Sequence, residues 1–460
     1  MRALALQIST TLQSLLQRGL GSRMVSGFML VALLTVGSKA VSFLKDAAVA
    51  RQFGTGDALD AFMLSFGFLT FAAALIGGGL PEAFLPVYSG TLHRRGTRRA
   101  HRLGVQSCLI HAGSLLALAA LFWLAAPHLV GWTTHGFAPE KQALAAGLLR
   151  RLLPFMVCFG MSYQLSAWLR ADKCFTIATS APILVPLTII GMIVWRGDHT
   201  TVDTLVTGTV AGSVLHLTVM VGALACRLPR GPSFWWRCLR LWEPGLGPIS
   251  RHSLHFLFAG GIFSSAVVVD QTMAAWLQPG SVAVLAYADK VCGIILAVTA
   301  APACDVLFPY FADKVARCDW RGVRRQLLAS AASILALALP AALLLCWLAP
   351  WVIRLLFERG SFTAEDTERV AAVLRFAALQ IPFYILGSLA SRVIVALQAS
   401  RFIIMLSVIG LVGNAVLNLI LMRSMGAPGI ALSTVLVQMT SAGLACLYVL
   451  RQIRTRLRHD

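Results

Sequence analysis

The chain has 460 residues, 58% of them hydrophobic and 13% charged, with a mean hydropathy of +0.77. Ordinary soluble domains carry about 25% charged residues, so this apolar excess has no soluble core to fill and a water-soluble enzyme or binding domain is excluded. The formal net charge of +20 would suggest nucleic acid if the cations formed one patch, but nearly all of them lie in short connections between apolar stretches, where they set membrane orientation.

Residues 1–23 lack the uninterrupted apolar run and cleavage site of a secretory signal. Leu4, Ile8, Leu12 and Leu16 recur there at helical spacing and predict a short interfacial segment. Apolar stretches follow at 24–48, 58–80, 104–126, 150–169, 175–195, 203–226, 253–276, 282–307, 326–348, 370–396, 402–422 and 428–450. Each can cross about 30 Å of hydrocarbon as a helix. They are too long and too uniformly apolar for barrel strands. Arg94–Arg102, Arg170–Lys173, Arg227–Arg251, Lys314–Arg325 and Arg451–Arg458 fall on one side if the N-terminus is cytoplasmic. About 25 Lys and Arg then face the cytoplasm and about 8 the outside, which places both termini inside.

Several segments recur. Phe137-Ala-Pro-Glu140 returns as Phe362-Thr-Ala-Glu365, Glu82…Leu85-Pro86 as Asp305…Phe308-Pro309, Leu169-Arg-Ala-Asp-Lys173 as Leu397-Gln-Ala-Ser-Arg401, and Asp46…Gly56 as Asp270…Gly280. Their offsets agree within about 223 to 228 residues, which is the mark of one duplication. Six spans per half give both halves the same membrane orientation, the architecture of alternating-access transporters with a site between the halves.

The expected fold is therefore an all-α polytopic membrane protein, with about twelve transmembrane helices in two same-facing six-helix bundles around a central cavity. Its parts are an interfacial segment at 1–23, an N-terminal lobe at 24–226, a basic cytoplasmic linker at 227–252, a C-terminal lobe at 253–450 and a basic tail at 451–460. No P-loop, nucleophile elbow or HExxH motif occurs, so a transporter is expected rather than an enzyme. The ten cysteines include no CxxC pair, and neither a disulfide framework nor a zinc site is indicated.

Ionisable groups inside a span are costly unless they are paired or face water, and so mark function. The first span carries Lys39, Lys45, Asp46 and Arg51, with Asp57 and Asp60 opening the second. Lys39 and Asp46 lie two helical turns apart on one face. Asp289 and Lys290 in the eighth span point about 100° apart, so one lines a cavity while the other pairs with a neighbour. Lysines from both halves would give that cavity a positive potential suited to a pyrophosphate. Asp270, Asn414, Asn418, Ser433 and Thr434 offer the oxygens a hard cation such as sodium needs. Spacing alone favours plain interhelical hydrogen bonding for them.

Ser38-Lys-Ala-Val-Ser-Phe-Leu-Lys-Asp46, Ala50-Arg-Gln-Phe-Gly54, Asp60-Ala-Phe62, Leu285-Ala-Tyr-Ala-Asp-Lys290 and above all Leu356-Phe-Glu-Arg-Gly-Ser-Phe-Thr-Ala-Glu-Asp-Thr367 resemble the MurJ/MviN lipid II flippases of the multidrug/oligosaccharidyl-lipid/polysaccharide exporter superfamily. A Thr363–Asp366 capping box explains two residues of that last segment and not the rest. The resemblance implies a two-lobed bacterial inner-membrane flippase that turns a polyprenyl-pyrophosphate-linked glycan outward for peptidoglycan synthesis. It also implies that Lys39, Lys45, Asp46, Asp60, Asp289 and Lys290 form the substrate set. Asp270, Asn414, Asn418 and Thr434 fall at its sodium positions, making sodium the candidate coupling ion; no other cofactor and no nucleic-acid partner is expected.

The sequence departs from the family in three ways. Three family arginines are lysine here, which keeps the charge and loses the fork that grips phosphate. The second span has Ala72-Ala-Ala-Leu-Ile-Gly-Gly-Gly79 in place of the family's charged residues. The sequence closes after a twelfth span where the family continues with two more. A flippase for polyprenyl-linked O-antigen or exopolysaccharide units stays open as an alternative. So does a cation-coupled drug exporter, which the lysines disfavour, and a scaffold for a glycosyltransferase.

Overall fold

The computed structural model describes residues 21–78, 80–229, 232–240, 242–247, 249, 265–397 and 399–457, and every regular element among them is helical. In the N-terminal half these are α1 (Gly21–Phe53), α2 (Asp57–Gly77), α3 (Leu80–Arg95), α4 (Thr97–Thr133), α5 (Pro139–Arg151), α6 (Leu153–Ala171), α7 (Phe175–Ser180), α8 (Leu184–Arg196) and α9 (Val202–Ala225). A linker helix α10 (Pro232–Arg240) and the helix α11 at 265–274 follow. The C-terminal half continues with α12 (Ser281–Ala316), α13 (Trp320–Phe357), α14 (Ala364–Ala378), α15 (Gln380–Ala396), α16 (Ser400–Met425) and α17 (Ala427–Arg456).

Nine helices among the described residues are long and apolar enough to cross a membrane, or ten if the bent α5–α6 pair is one span. With α1 in first place and α11 in seventh, the chain order of the twelve apolar stretches is kept. The interfacial segment expected at 1–23 lies almost wholly outside the described residues, as does the start of the seventh span.

Helices overrun the apolar stretches that announce them. The third stretch, 104–126, is the middle of the 37-residue α4, and the ninth, 326–348, the middle of the 38-residue α13. Hydrocarbon sets a minimum length, and good helix-forming polar residues extend the helix into water on either side. The fourth span is two helices bent by 45° at Leu152, and the tenth is broken at Leu379. Each break sits just before a proline, Pro154 and Pro382, whose missing N–H interrupts the hydrogen-bond ladder. The two halves thus carry the same break at the repeat spacing.

Among the described residues, packing joins the halves at one end only. One core cluster runs continuously from Phe62 and Leu64 of α2 through Val282 and Tyr287 of α12 to Phe357, Phe362 and Val370. At the opposite, arginine-rich end the cores are separate, one around Phe84, Tyr88 and Trp168, the other around Phe311, Trp320 and Val449. Linker helix α10 belongs to the first of these. Its Phe234 and Cys238 are buried there, and Gln106 of α4 donates to the Cys238 carbonyl (2.8 Å) while accepting from the Glu243 amide (3.1 Å). Arg102 pairs with the buried Glu243 at 3.1 Å, so the linker rides on the N-terminal half.

Candidate functional site

The joined end is a seal built from both halves. Asp60 stands in the first turn of α2, only 1% exposed. Its carboxylate accepts from the backbone amides of Gly280 (2.6 Å) and Ala283 (2.8 Å) and from Lys141 of α5 (2.9 Å). Gly280 precedes α12 and has no side chain with which to cap it, so a carboxylate from the other half takes the orphan N–H groups of that helix. Gly280 has φ of +86°, and an added Cβ would lie 2.5 Å from the Thr55 carbonyl, so both conformation and closeness require glycine. Lys141 also reaches Asp57 at 2.5 Å.

A second set of bonds closes the seal beside it. Thr55 donates to Asp366 and Ser361 donates its amide to the Arg51 carbonyl (2.8 Å), while within the C-terminal half Arg369 braces the turn before α12 by donating to the Pro279 carbonyl (2.8 Å). The Thr363–Asp366 capping box forms as expected, and its acid serves the lobe contact as well. Phe43, Tyr287, Phe357 and Phe362 fill the space inside it with ring centroids 5.0–5.9 Å apart. On the rim, the Thr367 hydroxyl (2.7 Å) and then Arg354 hold the Glu358 carboxyl below its usual range.

One step further into the molecule lies the cationic group. Asp46, 7% exposed, is shared by Lys45 of its own helix (2.6 Å) and Lys290 of α12 (2.7 Å), so one carboxylate ties two ammonium groups across the halves. Asp289, the neighbour of Lys290, is exposed and makes no hydrogen bond or ion pair with any described residue. Lys39 on α1 is likewise exposed and unpaired among the described residues. A bare charge at mid-helix would cost several kcal/mol (~3 or more) in hydrocarbon.

Thus Lys45, Asp46 and Lys290 come together, Lys39 and Asp289 stand free, and Asp60 sits in the seal with both oxygens occupied.

The oxygen-rich residues also meet. Asn418 donates to Asp270 (2.7 Å) and to Asn414 (3.2 Å), Thr434 donates to Asp270 (3.4 Å), and Ser433 donates to Asn418. Three helices, α11, α16 and α17, are joined by one carboxylate and neutral partners. The donor set is hard oxygen, which fits sodium, with the Asn418 amide nitrogen turned toward the acid.

Sequence reasoning did not pick out Lys141, Thr55 or Arg369. Lys141 follows directly on the repeated Phe137-Ala-Pro-Glu140 motif, which is the signal that could have found it.

A profile described as lipid II flippase MurJ matches residues 49–458. The probable lipid II flippase MurJ of Rhizobium tropici is 26% identical over 424 residues, covering 89% of this chain and 78% of that protein. The lipid II flippase MurJ of Burkholderia cenocepacia is 24% identical over 424 residues, covering 89% and 79%. Among solved structures, a lipid II flippase MurJ in an inward closed conformation superposes with a TM-score of 0.76 at 20% identity, covering 92% of this chain and 87% of that one. An inward-facing multidrug resistance MATE family transporter gives 0.78 at 16% identity, covering 91% and 96%.

Proposed function

The chain belongs to the lipid II flippase MurJ family, and from that premise we infer that it is a lipid II flippase, carrying its lipid-linked glycan between leaflets by alternating access. It is a multi-pass protein of the bacterial inner membrane. The observation that carries the mechanism is the one-sided closure. The hydrogen bonds and ion pairs described above between the halves lie at the seal or at Asp46, while the described cores at the arginine-rich end are separate. The arginine-rich end is cytoplasmic in our reading, with both termini inside. The structure is then the state that is closed outside and takes up cargo from within.

Lys39, Lys45 and Lys290 receive the pyrophosphate as point charges. A pyrophosphate that takes Lys45 and Lys290 from Asp46 also dissolves the tie between the halves at that point. Binding would thereby weaken the closed-outside state, which is the differential interaction a transport cycle needs. Sodium at Asp270, Asn414, Asn418 and Thr434 would bind α11, α16 and α17 together and bias the same equilibrium.

The test is rescue of cells depleted of their lipid II flippase. The unmutated gene should rescue; Lys39→Ala and Lys290→Ala should fail at normal membrane levels, and Lys→Arg at either should succeed. Rescue by the double alanine variant would remove the proposed site. Cysteines placed near Arg98 and Arg454 should label only from the cytoplasm and one near Thr363 only from outside; the reverse pattern would overturn the orientation.

A further inference from the structure

The arginine-rich end of the N-terminal half holds a cavity of about 320 Å³ that the flipping site does not use. Leu92, Thr97, His101, Asp172, Lys173 and Arg227 line it. The turn that supplies two of them is fixed: Lys173 adopts φ of +62°, and Cys174 closes the turn by donating to the Leu169 carbonyl (2.7 Å). Asp172 accepts from the Tyr88 hydroxyl (2.8 Å), which in turn accepts from the Trp168 indole (3.0 Å). Arg227 donates to the Asp172 backbone carbonyl (3.4 Å) and not to its carboxylate. Neither Lys173 nor Arg227 forms an ion pair with any described residue, and nor does Asp172.

His101 supplies the second observation. It is 7% exposed, and its Nδ1 is buried without a hydrogen-bond partner among the described residues. Burial holds its imidazole below the ordinary range against the pull of Asp172. A buried ring nitrogen without a partner destabilises the fold unless something joins it.

Two cations and one carboxylate that share a cavity without neutralising one another suit a ligand bearing both signs. We propose that this cavity binds an ammonium–phosphate zwitterion of the phosphoethanolamine type. The phosphate meets Arg227 and Lys173, the guanidinium fork matching its oxygens. The primary ammonium meets Asp172, a turn of the His101 ring brings its orphaned nitrogen to a remaining hydrogen bond, and Leu92 gives an apolar wall. Both a membrane phospholipid headgroup and free phosphoethanolamine carry this chemistry. A cleft at the arginine-rich end of the C-terminal half, lined by Lys314, Asp319, Arg321 and Arg325, is different. There the acid caps the Gly322 amide (2.8 Å) and pairs with Lys314 (3.8 Å), so nothing is left to hold an ammonium.

The test uses the full chain in nanodiscs of phosphatidylglycerol alone, or mixed equally with phosphatidylethanolamine or phosphatidylcholine, and in detergent with added phosphoethanolamine, phosphocholine or inorganic phosphate. Phosphatidylethanolamine, free phosphoethanolamine or both should raise the melting temperature by about 2–4 °C, while the trimethylated forms and inorganic phosphate should not. A response to the lipid alone assigns a membrane source, and a response to the free compound a soluble one. Lys173→Gln with Arg227→Gln should lose the increment and match the unmutated protein in phosphatidylglycerol alone; Asp172→Asn should lose the preference for the primary amine. No response to either amine, an equal response to inorganic phosphate, or an increment that survives the double substitution would each overturn the proposal.

Discussion

Asp46 and Asp270 stand 224 residues apart, at the same place in the two copies of the repeat, and their surroundings are opposite. Asp46 lies between two ammonium groups, Lys45 and Lys290. Asp270 has no described cation within salt-bridge reach and is held by the amide of Asn418 and the hydroxyl of Thr434. One duplicated acid has become the counter-charge of a cationic cavity. The other has become the only charge in an oxygen cluster, where an isolated carboxylate is expensive unless a cation or proton joins it. A duplication supplies matched backbones, and divergence then gives the two copies of one acid opposite neighbours, cations around Asp46 and neutral oxygens and amides around Asp270.

The largest test of that contrast is to neutralise each acid in turn. Asp46→Asn leaves Lys45 and Lys290, whose side chains are only 21% and 25% exposed, without their shared partner. Stripping one partner from a fully buried ion pair costs about 3–5 kcal/mol, and here the tie between the halves goes with it. Rescue of flippase-depleted cells should be abolished. Asp270→Asn keeps a polar group among neutral partners and should slow flipping by about tenfold, some 1.4 kcal/mol. Equal loss in both variants would mean that the two acids do one job.

The seal offers a second asymmetry, of smaller effect. The repeat partner of Asp60 is Val284, so the N-terminal half gives a carboxylate to the first amides of the other half's helix, whereas Asp366, the carboxylate returned by the C-terminal half, meets the side-chain hydroxyl of Thr55. Asp60→Asn weakens three hydrogen bonds to a charged acceptor. At about 1.5–3 kcal/mol for each bond lost, even one shifts the balance away from the sealed state by roughly ten- to a hundredfold. Cysteines replacing Arg51 and Ser361, in a chain cleared of its native cysteines, should cross-link readily with Asp60 intact and poorly once Asp60→Asn is added. Unchanged cross-linking would show that the aromatic plug alone holds the seal.

How much of this was legible in the sequence follows from what each signal measures. Hydropathy reports apolar length, so the order of the spans was readable, while the ends of α4 and α13 were not, because helix continues where lipid stops. The repeat exposed the pairing of Asp46 with Asp270 and the recurrence of Phe137 and Phe362. Adjacent helical residues diverge by about 100°, and that predicted the split between Lys290, which pairs, and Asp289, which is bare. The role of Asp60 was not readable: it depends on the first amides of α12, and backbone donors leave no trace in side-chain identity. Lys141 was missed because a lysine just beyond a span reads as an orientation charge, whereas here it is buried between two acids.

The smallest expected effect concerns sodium, and it sharpens the contrast by making the second acid more like an ion site. Asn418 now turns an amide nitrogen toward both Asp270 and Asn414, so its donor occupies the direction an ion would take. Asn418→Asp replaces that donor with a second carboxylate. In choline the two acids repel, by up to about 4 kcal/mol at 4 Å for an effective dielectric of 20, and the melting temperature should fall. In sodium the ion screens the pair, and affinity should rise about tenfold, or 1.4 kcal/mol. For a chain of this size that is about 1–2 °C, so the gap between sodium and choline widens from both sides. Asp270→Ala should close the gap altogether. If the unmutated protein and Asn418→Asp each melt at one temperature in both salts, Asp270, Asn414, Asn418 and Thr434 serve only to pack α11 against α16 and α17, and the energy for flipping must come from the membrane potential or from protons.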